Sequence, residues 1–265
     1  NGGTYTEMVY LAKVYNLTKI ERYKDAVLKG LDYMLAAQYP NGGWPQYYPL
    51  RKGYYTHITF NDNLTVNVMT VLQDIIERNP QFAFVDDPAV IQKCQTAFDK
   101  GLDCILKAQY RQNGVLTGWC AQHDEKTLLP TNARAFELAS LSGSEGANIV
   151  LFLMTVKNPS HELKQSIKAA VEWFEKVKIE GVKITYEIDS EGRRDRVAIA
   201  DPNAKTVWAR FYDLETNKPI FVGRDGVKKD KLSDIEYERR NGYGYYTETP
   251  VKAIKNYKKY VEKNK

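Results

Sequence analysis

Four arginines of the chain lie in short segments rich in aromatic, glycine and acidic residues. An arginine fork binds a carboxylate through two parallel hydrogen bonds, and neighbouring rings can stack on a sugar. A single arginine of this kind is more often part of an ordinary ion pair, but four in similar segments favour a cleft for a polymer of acidic sugars. They are Arg134 in 132–136, Arg210 in 208–212, Arg224 in 223–226 and Arg240 in 239–246.

Three acidic residues lie in loops or where helices are predicted to begin. Asp62 follows Asn61, Asp124 follows His123, and Glu145 ends a Ser-Gly-Ser-Glu turn. Carboxylate and amide oxygens of this kind suit Ca²⁺. Asp62 as a helix N-cap and Glu145 as a partner of the helix dipole are equally consistent with the spacing, so both interpretations stay open here.

The composition of the 265-residue chain indicates a globular protein with a sizeable core, since 43% of the residues are hydrophobic and 27% are charged. No apolar run approaches the about 20 residues that a membrane span needs. The net charge of +5 suggests a polyanionic partner: nucleic acid, an anionic membrane surface or an acidic polysaccharide. Because the basic residues form no run and no nucleic-acid-binding motif occurs, nucleic acid ranks last.

Aromatic and sulfur-containing residues narrow the chemistry further. The 19 tyrosines and 4 tryptophans exceed what a core requires, and such rings also stack on sugars in open clefts. Cys94, Cys104 and Cys120 form no metal-binding or redox pattern, so we predict small buried thiols. The chain begins at Asn1 without a visible signal peptide, and we expect a processed or excised domain.

Two predicted helices carry an internal repeat that defines the architecture. Apolar residues at helical spacing, after a capping box of Thr18 and Glu21 and after Asp87 followed by proline, predict helices over about 19–38 and 88–110. Both contain Lys-Gly-Leu-Asp and Ala-Gln-Tyr at one offset of 71 residues, and both lead into a loop with Gly and Trp. Repeated helix pairs stack side by side and close toward an α/α toroid (α/α barrel), with the long loops at one end. Further helices are predicted over about 64–75, 149–156 and 167–178.

The pattern changes after about residue 182. Short alternating segments at 184–188, 210–214 and 219–222 predict strands around polar turns, and a lysine-rich helix with a solvated basic face is predicted after residue 249. We therefore expect one mainly α domain over 1–265, with helix-pair repeats over about 5–180 and a small β-rich addition over about 182–248 that contributes to the cleft.

Six segments, in order along nearly the whole chain, resemble polysaccharide lyase family 10, the pectate lyases with an incomplete α/α toroid. Three departures from the family pattern concern outer subsites and substrate length: Asn132, the stretch 137–139, and an apparent charged insertion at 187–196. The six segments are NGGWPQ at 41–46, TFNDN at 59–63, GWCAQHD at 118–124, SLSGSE at 140–145, WARFY at 208–212 and RNGYG at 240–244.

The resemblance implies calcium-assisted β-elimination on α-1,4-linked polygalacturonate, in which a base removes the C5 proton and 4,5-unsaturated oligogalacturonates form. The family's base is an arginine, which maps onto Arg210, while Asp62 and Asp124, with Asn61, serve calcium and substrate. Cations near the C6 carboxylate stabilise the enolate-like charge. Because an arginine has an unperturbed pKa above about 12 and few neutral molecules near neutral pH, activity is expected to rise in alkali.

The resemblance also implies a secreted or periplasmic enzyme, expected to be a monomer, that binds polygalacturonate and neither nucleic acid nor membrane. The residues expected to bind substrate are Arg134, Arg224, Arg240, Trp44, Trp119, His123, Tyr243 and Tyr245.

Two other functions remain open at this point. An α/α-toroid glycoside hydrolase would use two of Asp62, Asp124 and Glu145 as acid and base. The arginine segments argue against it, since a neutral glycan needs no such cluster. A non-catalytic polyuronate-binding module would use the same aromatic and basic groove without chemistry.

Overall fold

The computed structural model describes residues 3–263, and the fold in this range is mainly α, as predicted. Among these residues, no helix combines the length and the apolar character of a membrane span. The helices are α1 (Gly3–Thr18), α2 (Glu21–Ala36), α3 (Leu64–Ile76), α4 (Pro88–Ala108), α5 (Gly143–Leu153), α6 (His161–Val177), α7 (Tyr237–Gly242) and α8 (Thr249–Lys263).

Within residues 3–263 the strands are short, and only one pair of them forms an extended ladder. In chain order they are β1 (Ile58–Thr59), β2 (Arg111–Gln112), β3 (Val115–Leu116), β4 (Gln122–His123), β5 (Leu141–Ser142), β6 (Val182–Ile188), β7 (Arg194–Ala200), β8 (Trp208–Ala209), β9 (Phe211–Tyr212), β10 (Phe221–Val222), β11 (Lys228–Lys229) and β12 (Tyr246–Thr247).

The chain divides into two compact units. The first runs to Ala108 and includes Asp124–Leu128, and the second comprises Gln109–His123 and the chain from Leu129 onward. The single domain over 1–265 and the closure of the helix pairs toward a toroid stay predictions.

In the first unit, α1 packs on α2 and α3 packs on α4. The repeated Lys-Gly-Leu-Asp has a physical cause in this packing. A Cβ at Gly30 of α2 would lie 2.7 Å from the Met8 side chain of α1, and a Cβ at Gly101 of α4 would lie 2.3 Å from Met69 of α3. Each glycine therefore admits a methionine from the preceding helix, so the repeat encodes one helix pair.

The repeated Ala-Gln-Tyr fastens each helix end to the loop that follows. Gln38 donates to the carbonyl groups of Gly42 (3.0 Å) and Ala97 (2.8 Å) in the first unit. Gln109 donates to those of Thr117 (2.8 Å) and Ser166 (3.0 Å) in the second. Buried amide groups need such partners, which explains why a glutamine recurs at this position.

One expected helix start is wrong. Thr18 does not cap α2, since it ends α1 and its hydroxyl donates to the carbonyl of Val14 at 2.8 Å. The N-cap of α2 is Ile20, which makes no side-chain capping bond. The other predicted helices are confirmed within a few residues, although α5 and α6 begin about six residues before their predicted starts and α1 was not among them.

In the second unit, short strands hold the loop segments around α5. Strand β5 leads directly into α5 and pairs with β9, so that Ser142 lies opposite Phe211. Strand β8 pairs with β12. A cluster of buried apolar side chains packs behind these strands. It contains Phe136, Phe211, Ile220, Phe221, Val222, Leu232, Ile235 and Tyr245.

The segment 187–196, which the sequence indicated as a charged insertion, is part of a β-hairpin. Strands β6 and β7 pair in antiparallel register over seven residue pairs, from Val182 opposite Ala200 to Ile188 opposite Arg194. The charged turn between them had concealed the second strand from sequence reasoning.

The first prediction concerns the close approach of α5 to β8. A Cβ at Gly143 would lie 2.4 Å from the carbonyl oxygen of Ala209, whereas one at Gly146 would make an ordinary contact of 3.5 Å with Phe174. We expect Gly143→Ala to lower the free energy of unfolding by about 1–3 kcal/mol, because backbone must move. Gly146→Ala on the same helix should be neutral or stabilising by up to about 1 kcal/mol. Urea unfolding of both variants checks this, and equal stabilities would contradict it.

Candidate active site

Arg210 is held between β8 and β9 at the N-terminus of α5. Its backbone N–H donates to the carbonyl of Tyr245 at 2.7 Å, and its carbonyl accepts from the N–H of Gly143 at 3.3 Å. Its Nη2 donates to Oε1 of Glu145 at 3.0 Å, with side chains that are 18% and 5% exposed. The guanidinium carbon lies 4.6 Å from the centre of the Tyr243 ring. Strand pairing, a carboxylate and a ring therefore orient one guanidinium.

Glu145 has two tasks in this arrangement. Ser142 caps α5, and its hydroxyl accepts from the N–H of Glu145 at 3.2 Å. The same hydroxyl donates to Oε2 of Glu145, while Oε1 receives Arg210. The residue is thus a first-turn partner of the helix N-terminus, as one interpretation of the sequence had it, and also the anchor of the arginine.

Further arginines lie around two neighbouring aromatic rings of the second unit. The guanidinium carbons of Arg134 and Arg239 lie 4.8 and 4.4 Å from the centre of the Phe136 ring, and that of Arg224 lies 5.7 Å from it. Phe136 meets Tyr243 edge to face at 5.6 Å. We call Arg134, Arg210, Arg224 and Arg239, with Phe136 and Tyr243, the arginine–aromatic cluster.

Carboxylates of the protein hold the forks of this cluster. Arg134 donates to both oxygens of Glu137, at 2.7 and 2.5 Å, and Tyr243 donates to Oε1 of Glu137 at 2.7 Å. Burial opposes the charge of Glu137, but the hydrogen bonds from Arg134 and Tyr243 outweigh it and hold the pKa of Glu137 below its ordinary value. This glutamate therefore stays ionised, and it connects Arg134 with Tyr243.

Glu238 binds the two remaining forks. It accepts two hydrogen bonds from Arg239, at 3.0 and 2.7 Å, and two from Arg224, at 3.0 and 3.1 Å. These bonds, with Arg239 first, lower the pKa of Glu238 to about 2. Arg224 and Glu238 are 63% and 54% exposed, so their pair is weak and a uronate carboxylate could replace it at little cost.

Arg240 lies outside this cluster and forms an ion pair of its own, so its binding of substrate stays a prediction. Its Nε donates to Asp195 of β7 at 2.7 Å, its Nη2 donates to the second oxygen of Asp195, and its Nη1 donates to the carbonyl of Ile235 at 2.7 Å. The two charged side chains are 17% and 12% exposed. Hydrogen bonds from Arg240 lower the pKa of Asp195, and the pair stabilises the fold.

Four of the aromatic side chains expected to stack on sugar are buried instead. Trp44, Trp119, His123 and Tyr245 expose 2% of their surface or less. Trp44 donates to the carbonyl of Met34 at 2.8 Å, and Tyr245 donates to that of Val222 at 2.6 Å. Nε2 of His123 accepts from the backbone N–H of Cys120 at 3.0 Å. These groups support the loops, and the half-buried Tyr243 is the ring that reaches the cluster.

Asp62 of the first unit has an unusual backbone. Asp62 and Asn63 both adopt left-handed conformations, with φ of 52° and 59°, within the turn Asn61–Asn63 that precedes α3. Consecutive left-handed residues other than glycine cost free energy and are found mainly at functional sites. Asp62 is not the N-cap of α3, because Asn63 occupies that position. The ordinary interpretation of Asp62 is therefore wrong.

Asp124 lies in the first unit with two further side chains. Its Oδ1 accepts from the N–H groups of Thr127 (2.7 Å) and Lys126 (3.0 Å), and the bond from Thr127 is the main cause that lowers its pKa. His57, Asp124 and Glu125 each place one possible ligand atom within 4.8 Å of the others. Within residues 3–263 no other group of three His, Cys, Asp or Glu does so.

This donor set fits calcium in part. Asp124 and Glu125 offer carboxylate oxygens, which Ca²⁺ prefers, whereas His57 offers a nitrogen that already lies 3.1 Å from Oε2 of Glu125. Burial opposes the charge of Glu125, but hydrogen bonds from its own backbone and from His57 keep its pKa below the ordinary value. This group does not include Asp62, and the ligand set of Asp62, Asn61 and Asp124 stays a prediction.

Sequence reasoning missed several members of the arginine–aromatic cluster and of the possible metal-binding group. Arg239 is next to Arg240, and spacing alone did not show which of the two faces Phe136. Glu137 was noted only as a departure from the family pattern, and His57 and Glu125 were not singled out. The signal that was available was the close succession of two glutamates and two arginines in Glu-Tyr-Glu-Arg-Arg at 236–240.

The chain is similar to known polysaccharide lyases. A family model described as pectic acid lyase matches residues 1–254. A solved structure of a family 10 polysaccharide lyase from Cellvibrio cellulosa is 39% identical, with 97% of this chain and 79% of that chain covered and a TM-score of 0.90. An aspartate-to-alanine mutant of a family 10 polysaccharide lyase from the same organism, in complex with trigalacturonic acid, is 40% identical over the same shares, with a TM-score of 0.89. No curated protein matches the chain.

The second prediction separates a stabilising arginine from an exposed one. We expect Arg240→Gln to lower the free energy of unfolding by about 3 kcal/mol, because it leaves the buried carboxylate of Asp195 without its charge partner. Arg224→Gln should change stability by less than about 0.5 kcal/mol, since its pair with Glu238 is exposed. Urea unfolding near neutral pH measures both. Unchanged stability in Arg240→Gln would contradict a stabilising role for its pair with Asp195.

Proposed function

The chain belongs to the pectic acid lyase family and is a pectate lyase, and we propose that it cleaves α-1,4-linked polygalacturonate by calcium-assisted β-elimination with Arg210 as the base. The observation that carries the proposal is the arginine–aromatic cluster. Four guanidinium groups converge on Phe136 and Tyr243 and are oriented by Glu137, Glu145 and Glu238. Such forks match the C6 carboxylates of successive uronate residues.

The proposed step moves one proton and breaks one bond. A guanidine nitrogen of Arg210 takes the proton from C5 of a galacturonate. The electron pair of the C5–H bond forms the C4–C5 double bond, and the C4–O4 bond breaks with its electrons on the oxygen of the departing chain. Negative charge develops on the C6 carboxylate during the step, and Arg134, Arg224 and Arg239 are the groups proposed to stabilise it.

Glu145 sets a condition on this step. Its carboxylate is 3.0 Å from Nη2 of Arg210, and its charge favours the protonated guanidinium, which is not a base. The proposed role of Glu145 is to orient the arginine. A neutral guanidine then becomes available at alkaline pH.

The calcium ligands proposed are oxygens of Asp62, Asn61 and Asp124, to which the structure adds Glu125 as a candidate. Bound Ca²⁺ would supply positive charge to the substrate carboxylate and so acidify the C5 proton. The chain's own contribution is to keep the Asp124 carboxylate ionised through the N–H groups of Thr127 and Lys126.

Hydrolysis by a pair of acidic residues fits these groups poorly. A general acid needs a pKa raised toward the working pH, whereas the pKa of Asp124 is lowered by its hydrogen bonds. Both carboxylate oxygens of Glu145 are already bonded, one to Arg210 and the other to Ser142. The solved relative in complex with trigalacturonic acid supports oligogalacturonates as ligands of this chain as well. We further propose that the enzyme acts as a monomer, secreted or in the periplasm.

The third prediction tests the reaction and its base. On polygalacturonate with Ca²⁺, we expect the ultraviolet absorbance of the 4,5-unsaturated product to rise, and a calcium chelator to abolish the rise. Arg210→Ala should lower kcat by about 10²–10⁴-fold, the usual contribution of a general base, with trigalacturonate binding kept within about fivefold by calorimetry. Arg22→Ala, at an exposed arginine of α2, serves as the matched control.

Three results would contradict this proposal in different ways. Reducing sugar without unsaturated product would indicate hydrolysis, and binding without any product would indicate a non-catalytic module. Near-normal turnover in Arg210→Ala, with turnover lost in Arg134→Ala, would move the base to Arg134.

The fourth prediction concerns pH. While the pH is below the pKa of an arginine, each increase of one pH unit raises its neutral fraction about tenfold. We therefore expect kcat/KM to rise with pH and to reach its maximum well above about pH 8. A pH–rate profile measured at saturating Ca²⁺ checks this. A bell-shaped profile centred between about pH 5 and 6 would instead indicate a pair of carboxyl groups.

A further inference from the structure

The hairpin of β6 and β7 is fastened to the segment that carries Tyr243. Asp195 of β7 accepts from Nδ2 of Asn241 at 2.6 Å as well as from Arg240. The backbone N–H of Arg196 donates to Oδ1 of Asn241 at 2.8 Å. Nη1 of Arg196 donates to the carbonyl oxygen of Tyr243 at 2.6 Å. Two neighbouring residues of one strand thus hold both ends of the segment 240–243.

Tyr243 is the common neighbour of two arginines in the arginine–aromatic cluster. Its ring centre lies 4.6 Å from the guanidinium carbon of Arg210, and its hydroxyl donates to Glu137, which holds Arg134. Burial raises the pKa of Tyr243 well above its ordinary value, so the hydroxyl remains a donor in alkali. The position of Tyr243 therefore affects the positions of the guanidinium groups of Arg210 and Arg134.

We infer that strand β7 positions Tyr243, and through it the guanidinium of Arg210, by means of the hydrogen bond from Arg196 to the Tyr243 carbonyl. Arg196 is a positioning residue in this inference, which rests on the proposed role of Arg210.

The chemistry explains why one hydrogen bond of this kind matters. A proton transfer needs the base within a few tenths of an ångström of its productive position, and a displacement of about 1 Å can lower the rate about 10²-fold. Tyr243 contacts Arg210 through a ring face, which guides the guanidinium without fixing it. Movement of the Tyr243 backbone is consequently passed on to the base.

The fifth prediction compares three variants of β7 on polygalacturonate with Ca²⁺. Arg196→Gln should lower kcat by about 10–100-fold, with KM changed less than about threefold, because the base is displaced while the uronate-binding forks remain. Arg196→Lys keeps one donor for the Tyr243 carbonyl and should recover at least half of the lost kcat. Arg194→Gln is the matched control, because the guanidinium carbons of Arg194 and Arg196 both lie over the Tyr186 ring, at 3.7 and 5.7 Å from its centre. This substitution should keep kcat within twofold of the wild type.

A second measurement reads the position of the segment without relying on turnover. Hydrogen–deuterium exchange of the peptide that covers 237–243 should be faster in Arg196→Gln than in the wild type and unchanged in Arg194→Gln. Wild-type kcat in Arg196→Gln, equal loss in Arg194→Gln, or a fall in kcat with unchanged exchange would each overturn the inference. Failure of the proposed function is a separate result, since then the wild type itself forms no unsaturated product while the exchange data still report on the hairpin.

Discussion

The ion pair between Arg210 and Glu145 is the interaction on which the second unit is organised. It requires the first turn of α5, where Ser142 fixes the glutamate, and the paired strands that fix the arginine backbone. Gly143 stands between them and permits the approach of helix to strand, because any Cβ there would meet the carbonyl of Ala209. Helix capping, strand pairing and close backbone packing therefore act together to fix the position of the Arg210 guanidinium.

A site that binds carboxylates faces a particular constraint. Its arginines must be oriented before the substrate arrives, yet they must give up their internal partners at small cost. The exposed pair of Arg224 and Glu238 meets this condition, since an exposed ion pair contributes only about 0–1 kcal/mol. The buried pair of Arg240 and Asp195 does not, because separating it would leave two desolvated charges. Arg224 is therefore the fork that a substrate carboxylate can take over at small cost, whereas Arg240 is held in the fold.

This distinction explains how far the sequence could predict the structure. The helix pairs were predictable because their causes are local: a glycine that admits a methionine and a glutamine that fastens a helix end. The partner of Arg240 lies 45 residues away in β7, a strand that begins with three charged residues and was not predicted. The exposed face of a tryptophan is also decided by distant packing, so Trp44 and Trp119 resembled sugar platforms and proved to be core.

The candidate site shows the same division. Asp62 was recognisable from its motif, but its left-handed backbone depends on how the turn before α3 is closed. The choice between Arg239 and Arg240 as the fork that faces Phe136 depends on the six-residue helix α7, which turns neighbouring side chains in different directions. Spacing identifies the types of residue in a site, and long-range packing decides which of them reach it.

The protonation states of the cluster also bear on how its pH dependence is interpreted. Hydrogen bonds from arginines keep the pKa values of Glu137 and Glu238 below the ordinary range, and burial raises the pKa of Tyr245 to about 12 and that of Tyr243 further. Between roughly pH 6 and 10 these supporting groups therefore keep their charge and their hydrogen bonds. The scaffold is constant across the range in which a neutral guanidine becomes more abundant. A change of rate within that range consequently reports on the base and the substrate rather than on the groups that hold them.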